Sequence, residues 1–324
     1  MLVKERRLLE AIDVLSAVNR NERDHELETR LVELRRDACS ELDRDAGLRH
    51  WPPRVKDLFH NSTDPPEVTA SELTPELLRS GILRHGCLIV RNLVGPERVR
   101  QLVDDIDRAM AAYDAHARGA LASETGPWFV PFQPPEGRIP REWLRDSGGV
   151  LAVDSPPTLF DIIETFEDAG IGDLVTSFLG ERPMLLAQKW TLRKVTPDFG
   201  DRDWHQDGAF MGRDIRSIDV WLALSDCGHD APGLDLVARR FEHIVDTGTD
   251  GANFDWSVGP GVAEHVAEGS VSRPLFRAGD ALLFDHLLLH RTGVRPNMTM
   301  PRYAIEAWFA APSSYPPDQM PIAY

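Results

Sequence analysis

Trp204-His205-Gln206-Asp207-Gly208 is one of two segments on which the fold turns. The other lies far along the chain: Gly279-Asp280-Ala281-Leu282-Leu283-Phe284-Asp285, leading through an apolar stretch to His290. On an extended backbone, side chains at i and i+2 share a face, so His205 and Asp207 can converge while Gln206 points elsewhere. A His-x-Asp pair alone is weak, because a chain of 324 residues with 11 histidines is expected to hold one by chance. The second segment gives it weight. Gly279–Asp285 opens an apolar strand that is expected to end at His290, and the long separation lets a later strand of one barrel lie beside the first. Arg302 then opens a further strand, Tyr303–Ala311. Two histidines and a carboxylate on one face leave three positions of an octahedral metal open, which suits non-haem Fe(II) and O2. A guanidinium one strand away can grip a carboxylate through two parallel hydrogen bonds. The set fits an iron that takes 2-oxoglutarate in its open positions.

The surrounding sequence fits a barrel. After Gly180, short β-type runs (Leu185–Val195, Ser217–Ser225, Leu234–Val237, Ala281–Thr292 and Tyr303–Ala311) alternate with Gly, Pro and Asp, which predicts an antiparallel sandwich or barrel. Before Gly180 helices dominate. Thr74 ahead of Pro75 marks a helix start. Gly86–Val94 is apolar and β-branched and reads as a strand. Pro96–Ala112 carries Val99, Leu102, Val103, Ile106 and Met110 on one helical face, and Leu159–Leu179 reads as another helix. Nearer the start, Leu8, Ile12 and Leu15, and again Leu27, Leu31 and Leu34, fall at i, i+4, i+7, giving two amphipathic helices. Trp51-Pro52-Pro53 and Asp64-Pro65-Pro66 punctuate a linker. The expected division is a helical extension and linker over 1–65 and one domain over 66–324, with its barrel at about 180–312. The helical pair reads as packed on the body; a contact between copies of the chain in a homo-oligomer is the sharper alternative.

Composition narrows the function. The formal net charge of −16 argues against a nucleic-acid backbone or an anionic membrane as partner, leaving a small-molecule substrate. Cys39, Cys87 and Cys227 lie far apart without a C-x-x-C pair, which reads as reduced thiols of a cytoplasmic protein. Met1–Arg7 runs into mixed charge and lacks the apolar stretch of a signal peptide. No apolar run approaches the roughly 20 residues of a membrane span. Ala281–Leu289 comes nearest, and Asp285 and His286 interrupt it.

Taken in order, these segments resemble the phytanoyl-CoA dioxygenase family of Fe(II)/2-oxoglutarate-dependent oxygenases. Gly86–Val94 followed by Pro96-Glu97 resembles the family's opening strand and helix, and Trp204-His205-Gln206-Asp207 its metal motif, including the Gln between the ligands. Pro232–Val237 resembles the segment after the central strand, Gly279–Asp285 through His290-Arg291-Thr292-Gly293 the third-ligand strand, and Arg302-Tyr303 the arginine that grips the distal carboxylate of 2-oxoglutarate. The likeness covers roughly residues 70–312. It implies an α+β fold built on a double-stranded β-helix, a cupin-like jelly roll, with flanking helices. It implies Fe(II) on His205, Asp207 and His290, with 2-oxoglutarate and O2 as co-substrates and Arg302 on the far carboxylate. Aligning Lys194 with the lysine that ends the preceding strand in relatives puts Trp190 at a cofactor-contacting position, and Trp221 falls where relatives place an aromatic against 2-oxoglutarate. Either tryptophan could equally be core. Gln206 joins the cofactor-binding set through its place in the motif. Related halogenases carry a small residue in place of the carboxylate; Asp207 is present here, which favours hydroxylation of an aliphatic C–H.

Other readings stay open. A metal enzyme of the same fold without 2-oxoglutarate, or a non-catalytic binder of small molecules, would use the same framework. Desaturation, epoxidation and ring formation share the hydroxylase's chemistry. Arg291 and Arg295 rival Arg302, but a strand neighbour of His290 points to the opposite face and Arg295 sits in a turn before Pro296. His286 shares the face of His290 if the strand is continuous, while His229, His243 and His265 sit in polar loops. Residues 113–150 and 241–275 are expected to form the lips of the pocket, with Trp128, Phe129, Phe132, Phe254 and Trp256 lining it or capping the core.

Overall fold

Alternation with period two along the strands sorts side chains onto the two faces of a sheet, and that sorting organises the molecule. The structure is a computed structural model that describes residues 7–44, 50–60, 64–134, 139–200, 202–269 and 271–324. Its strands are β1 (Glu67–Thr69), β2 (Cys87–Arg91), β3 (Gly149–Leu151), β4 (Met184–Val195), β5 (Ser217–Ala223), β6 (Gly233–Val237), β7 (Val271–Ser272), β8 (Ala281–Phe284), β9 (His290–Gly293), β10 (Arg302–Ala310) and β11 (Pro321–Ala323). The large sheet runs β1-β2-β8-β5-β10-β4-β11, with β3 also on β4, and is antiparallel except for β1 beside β2. The small sheet runs β7-β6-β9 and is antiparallel.

One face of the large sheet carries Leu192, Ile218, Val220, Leu222, Leu283, Ile305 and Phe309 and packs under helices into the main core. The other carries Trp221, Ala223, Leu282, Phe284, Ala304 and Trp308 and meets Leu234 and Leu236 of the small sheet. Two sheets enclosing a core between them, with helices outside, form the double-stranded β-helix.

The helices follow their sequence signals. Pro75–His85 begins where Thr74 accepts the amide of Leu77 (3.3 Å), with Pro75 in the first turn, and Gly86 ends it at φ 90°. Such a cap is worth about 1 kcal/mol. Pro96–Ala117 buries Val99, Leu102, Ile106 and Met110. The stretch read as one helix over Leu159–Leu179 is two, Pro156–Asp168 and Ile171–Leu179, because Gly170 at φ 70° breaks it. Near the start, Leu8–Asn21 and His25–Ala38 form the expected pair, the second capped by Asp24. Leu31 and Val32 join the main core.

The run Ala281–Thr292 is not one strand. It breaks at Asp285, whose carboxylate takes the Leu287 amide (3.1 Å) and pairs with Arg240 (2.5 Å). β8 stays in the large sheet and β9 enters the small one. His290 therefore opens a strand instead of closing one, and His286 shares no strand face with it.

β4 departs from alternation. Its pairing with β10 is regular from Val195 to Trp190 and shifts before Leu185, so the backbone of β4 bulges over Leu186–Lys189. Leu185 and Ala187 face the helices and Leu186 the sandwich interior; beyond the bulge Trp190 and Leu192 face the helices. A bulge of this kind reverses which residues of a strand look inward.

Candidate metal centre

His205 and His290 meet because their backbones pair. Each amide donates to the other residue's carbonyl at 3.0 Å, so His205 extends the small sheet beyond β9. Their rings lie 4.5 Å apart. Asp207 follows at the entrance to the turn of helix Gly208–Met211, with one carboxylate oxygen 3.6 Å from Nε2 of His290. Gly208 leaves room for His286 and Ile244 to pack against this turn: a Cβ there would sit 2.7 Å from both. Ligand atoms of His205, Asp207 and His290 lie within 4.8 Å of one another, and they form the one such group of His, Cys, Asp and Glu among the described residues.

The backbone orients both imidazoles. Nδ1 of His205 lies 2.9 Å from the Asp203 carbonyl and Nδ1 of His290 3.0 Å from that of Leu288. Donation from Nδ1 puts the lone pair on Nε2, toward Asp207. Burial, with His290 beside it, pushes the His205 pKa down to about 4, so the ring is a neutral donor near pH 7. Phe284 stands edge-on to His290 at 5.0 Å.

Arg302 reaches across from the large sheet. It is 1 % exposed, donates to the Gly233 carbonyl (3.1 Å) and to Thr292 Oγ1 (3.4 Å), and its Nε has no partner. Its guanidinium lies 5.5 Å from the ring of Trp221, whose indole N–H is also buried and unpartnered. No described carboxylate pairs with this buried cation. An uncompensated charge of this kind is expensive, and an incoming carboxylate would relieve it. The two rival arginines are accounted for: Arg291 pairs with Asp235 (3.1 Å), and Arg295 is exposed.

The remaining residues named from the sequence separate. Trp190 faces the helices: its ring stands edge-on to Phe166 and Phe309, and its N–H donates to the Trp308 carbonyl (2.9 Å). It does not reach the cluster; the bulge in β4 turns Lys189 inward in its place. Gln206 points away from Asp207 and straps a loop, donating to the carbonyls of Leu287 (2.7 Å) and His243 (3.2 Å) and accepting the Val245 amide (2.6 Å). His286 is buried between Ser217 and the Arg213 carbonyl, while His229, His243 and His265 are exposed. Phe129 and Phe132 pack into the body away from the cluster; Phe254 and Trp256 lie beside it.

Three further residues bear on the site. Asp203 accepts from the Asn253 amide (2.7 Å) and Ser257 Oγ (2.6 Å) while its carbonyl fixes His205, a signal legible only as a carboxylate two residues before a histidine of the cluster. Glu306 is held by Thr191 (2.6 Å) and twice by Arg193 (3.0 Å each). Burial works against its charge, yet the Arg193 guanidinium brings its pKa down to about 2. Asp219 accepts the Ala307 amide (2.8 Å), and burial, with Glu306 and Asp207 near, pushes its pKa well up.

A family model described as phytanoyl-CoA dioxygenase (PhyH) matches residues 82–300, spanning every residue of the cluster. The chain belongs to the phytanoyl-CoA dioxygenase family. Its members are oxygenases that work with Fe(II), 2-oxoglutarate and O2, and the clustered histidines and aspartate fit that set. Among solved structures, EctD from S. alaskensis in its apoform is similar at a TM-score of 0.50 and 15 % identity, over 83 % of this chain and 86 % of that one. The non-heme alpha ketoglutarate dependent carbocyclase SnoK from nogalamycin biosynthesis matches at 0.50 and 11 %, over 76 % and 86 %. AviO1 from Streptomyces viridochromogenes Tue57 matches at 0.47 and 18 %, over 75 % and 98 %. At these identities the likeness to the first two concerns the fold alone. No curated protein matches the sequence.

Proposed function

We propose that the protein hydroxylates an aliphatic C–H of a small molecule, with His205, Asp207 and His290 holding Fe(II) and Arg302 holding the far carboxylate of 2-oxoglutarate. The observation that carries this reading is the buried Arg302 guanidinium, left without a carboxylate at one end of the sandwich whose small sheet carries the histidines. With iron and 2-oxoglutarate bound, the site supplies the O2-dependent oxidation of a C–H bond, with succinate and CO2 as co-products. The chain's part is placement. The carbonyls of Asp203 and Leu288 hold the protons on Nδ1 of the two imidazoles and keep both Nε2 atoms free. Trp221 offers its indole N–H beside Arg302, and Phe276, edge-on to Trp221 at 5.0 Å, keeps that end of the pocket dry. Asp207 occupies the position whose carboxylate chloride would need to replace, which favours hydroxylation over halogenation.

The test is conversion of 2-oxoglutarate to succinate by Fe(II)-loaded protein. Wild type is expected to form succinate only when iron and O2 are both present, and Asp207→Ala to lose more of the rate than the roughly 10- to 100-fold that follows loss of an outer partner of a metal ligand. Succinate formation by Asp207→Ala at the wild-type rate contradicts the assignment.

A further inference from the structure

Beside the cluster stands a cation that the metal and 2-oxoglutarate leave unused. The bulge in β4 aims Lys189 into the sandwich, where its ammonium lies 4.0 Å from the ring centre of Phe210. The carboxylates around it are engaged elsewhere. Asp207 is in the cluster, both oxygens of Glu306 are taken by Arg193 and Thr191, and Asp219 accepts from Ala307. Lys189 makes no ion pair with a described residue. Burial lowers its pKa from 10.5, while Asp207, Glu306 and Asp219 act to raise it again.

Phe210 belongs to an aromatic wall that runs from solvent to the cluster. Phe254, 54 % exposed, stacks on Trp256 at 4.8 Å with an interplanar angle of 5°. Trp256 stands edge-on to Phe210 (5.3 Å) and to His205 (5.7 Å). The wall is fixed to the metal ligand through one residue, because Asp203 holds Asn253 and Ser257 with its carboxylate and His205 with its carbonyl. Lys189 and Arg302 serve different ends of the sandwich. Arg302 pairs with Val195 of β4 and Ala307 with Trp190, so five residues of strand separate the two levels, about 17 Å along the sheet.

We propose that Lys189 and the wall of Phe210, Trp256 and Phe254 form the substrate subsite, and that it takes an organic carboxylate with a flat apolar body. The carboxylate rests on the Lys189 ammonium, and the body lies against the rings that lead to His205. A cation over an aromatic face keeps a preference for an anion on its open side, and the rings supply apolar contact of defined geometry. This inference rests on the oxygenase reading for its chemistry, but the binding it describes is measurable without turnover.

The probes are trans-cinnamate and its neutral counterpart cinnamamide, titrated by calorimetry into metal-free wild type, Lys189→Met and Lys189→Arg, with thermal melting to check folding. Wild type is expected to bind cinnamate about tenfold more tightly than cinnamamide, the scale of one charge-assisted hydrogen bond. Lys189→Met should lose that preference by weakening cinnamate alone, and Lys189→Arg should keep it. A parallel anaerobic titration with Fe(II) and 2-oxoglutarate, followed by the visible charge-transfer band, should give 2-oxoglutarate affinities within about twofold across the three proteins. Equal binding of acid and amide by wild type, or no binding of cinnamate, overturns the proposal. So does an unchanged preference in folded Lys189→Met, or an equal loss of 2-oxoglutarate, which would make Lys189 a co-substrate contact. Absence of the visible band in wild type would instead count against the oxygenase reading, whatever the cinnamate result.

Discussion

The metal-binding constellation depends on single atoms being free at the right place. Nε2 of His205 and of His290 are free because carbonyls occupy both Nδ1 atoms. Arg302 lacks a carboxylate, so its substitution should be felt by whatever carboxylate binds there. Arg302→Gln is expected to weaken 2-oxoglutarate roughly 10- to 150-fold, the range for a lost charged hydrogen bond, while Fe(II) affinity changes little. Parallel titrations of both ligands check this; equal loss of the two would show damage to the fold. His205, Asp207, His290 and Arg302 were all nameable from the sequence because residue type and order along the chain carry that signal. Lys189 was not, because inward or outward orientation depends on strand register.

At the scale of elements, the bulge in β4 decides the most. A regular strand would have kept Trp190 on the face of Leu186, inside the sandwich; the shift places it among Phe166 and Phe309 under the helices. Trp190→Ala is therefore expected to cost about 3–5 kcal/mol of stability, as for other buried aromatics, and to leave 2-oxoglutarate affinity unaltered once the variant is folded. Denaturant unfolding alongside ligand titration separates the two effects. The strands around Leu185–Val195, Ser217–Ala223, Leu234–Val237 and Tyr303–Ala310, the helix starts at Thr74 and Pro96, and the paired N-terminal helices were legible because hydrophobic period and capping residues encode them; the order of strands in the sheets was not. The division of Ala281–Thr292 between two sheets was hidden by its apolar composition, which reads the same through a turn as through a strand.

The helices that cover the large sheet carry a second electrostatic feature. Asp105, on Pro96–Ala117, is buried with Oδ2 unpartnered. Burial, with Asp161 of the facing helix, pushes its pKa up to about 7, while Arg108 and Arg98 act the other way. A carboxyl whose folded pKa lies above its unfolded value near 3.8 supports the fold fully below that value. It supports the fold progressively less as pH rises through about 7. Asp105→Asn should remove this dependence. The melting temperature of the variant is expected to gain on wild type steadily between about pH 4 and 8; a constant difference across that range would contradict the burial argument.

For the whole molecule, the N-terminal pair is part of the body it covers. Leu31 and Val32 enter the main core, Arg35 donates to the Ala323 carbonyl (2.9 Å), and Ile12 and Leu34 pack with Met184 of β4 and Ala323 of β11. A chain lacking residues 1–65 is accordingly expected to melt at a lower temperature and to aggregate from exposed apolar surface; a truncated protein as stable as the full chain would show an independent extension. No helix among the described residues is long and apolar enough to cross a membrane.

In the proposed function three distant side chains share one ferrous ion that also takes 2-oxoglutarate. The most direct test is an anaerobic Fe(II) titration in the presence of 2-oxoglutarate, followed in the visible, for wild type and His290→Ala. Wild type is expected to give a charge-transfer band that saturates in a single phase, and a folded His290→Ala protein to lose it. A band of equal strength in both proteins, or none in wild type, would contradict the proposed function.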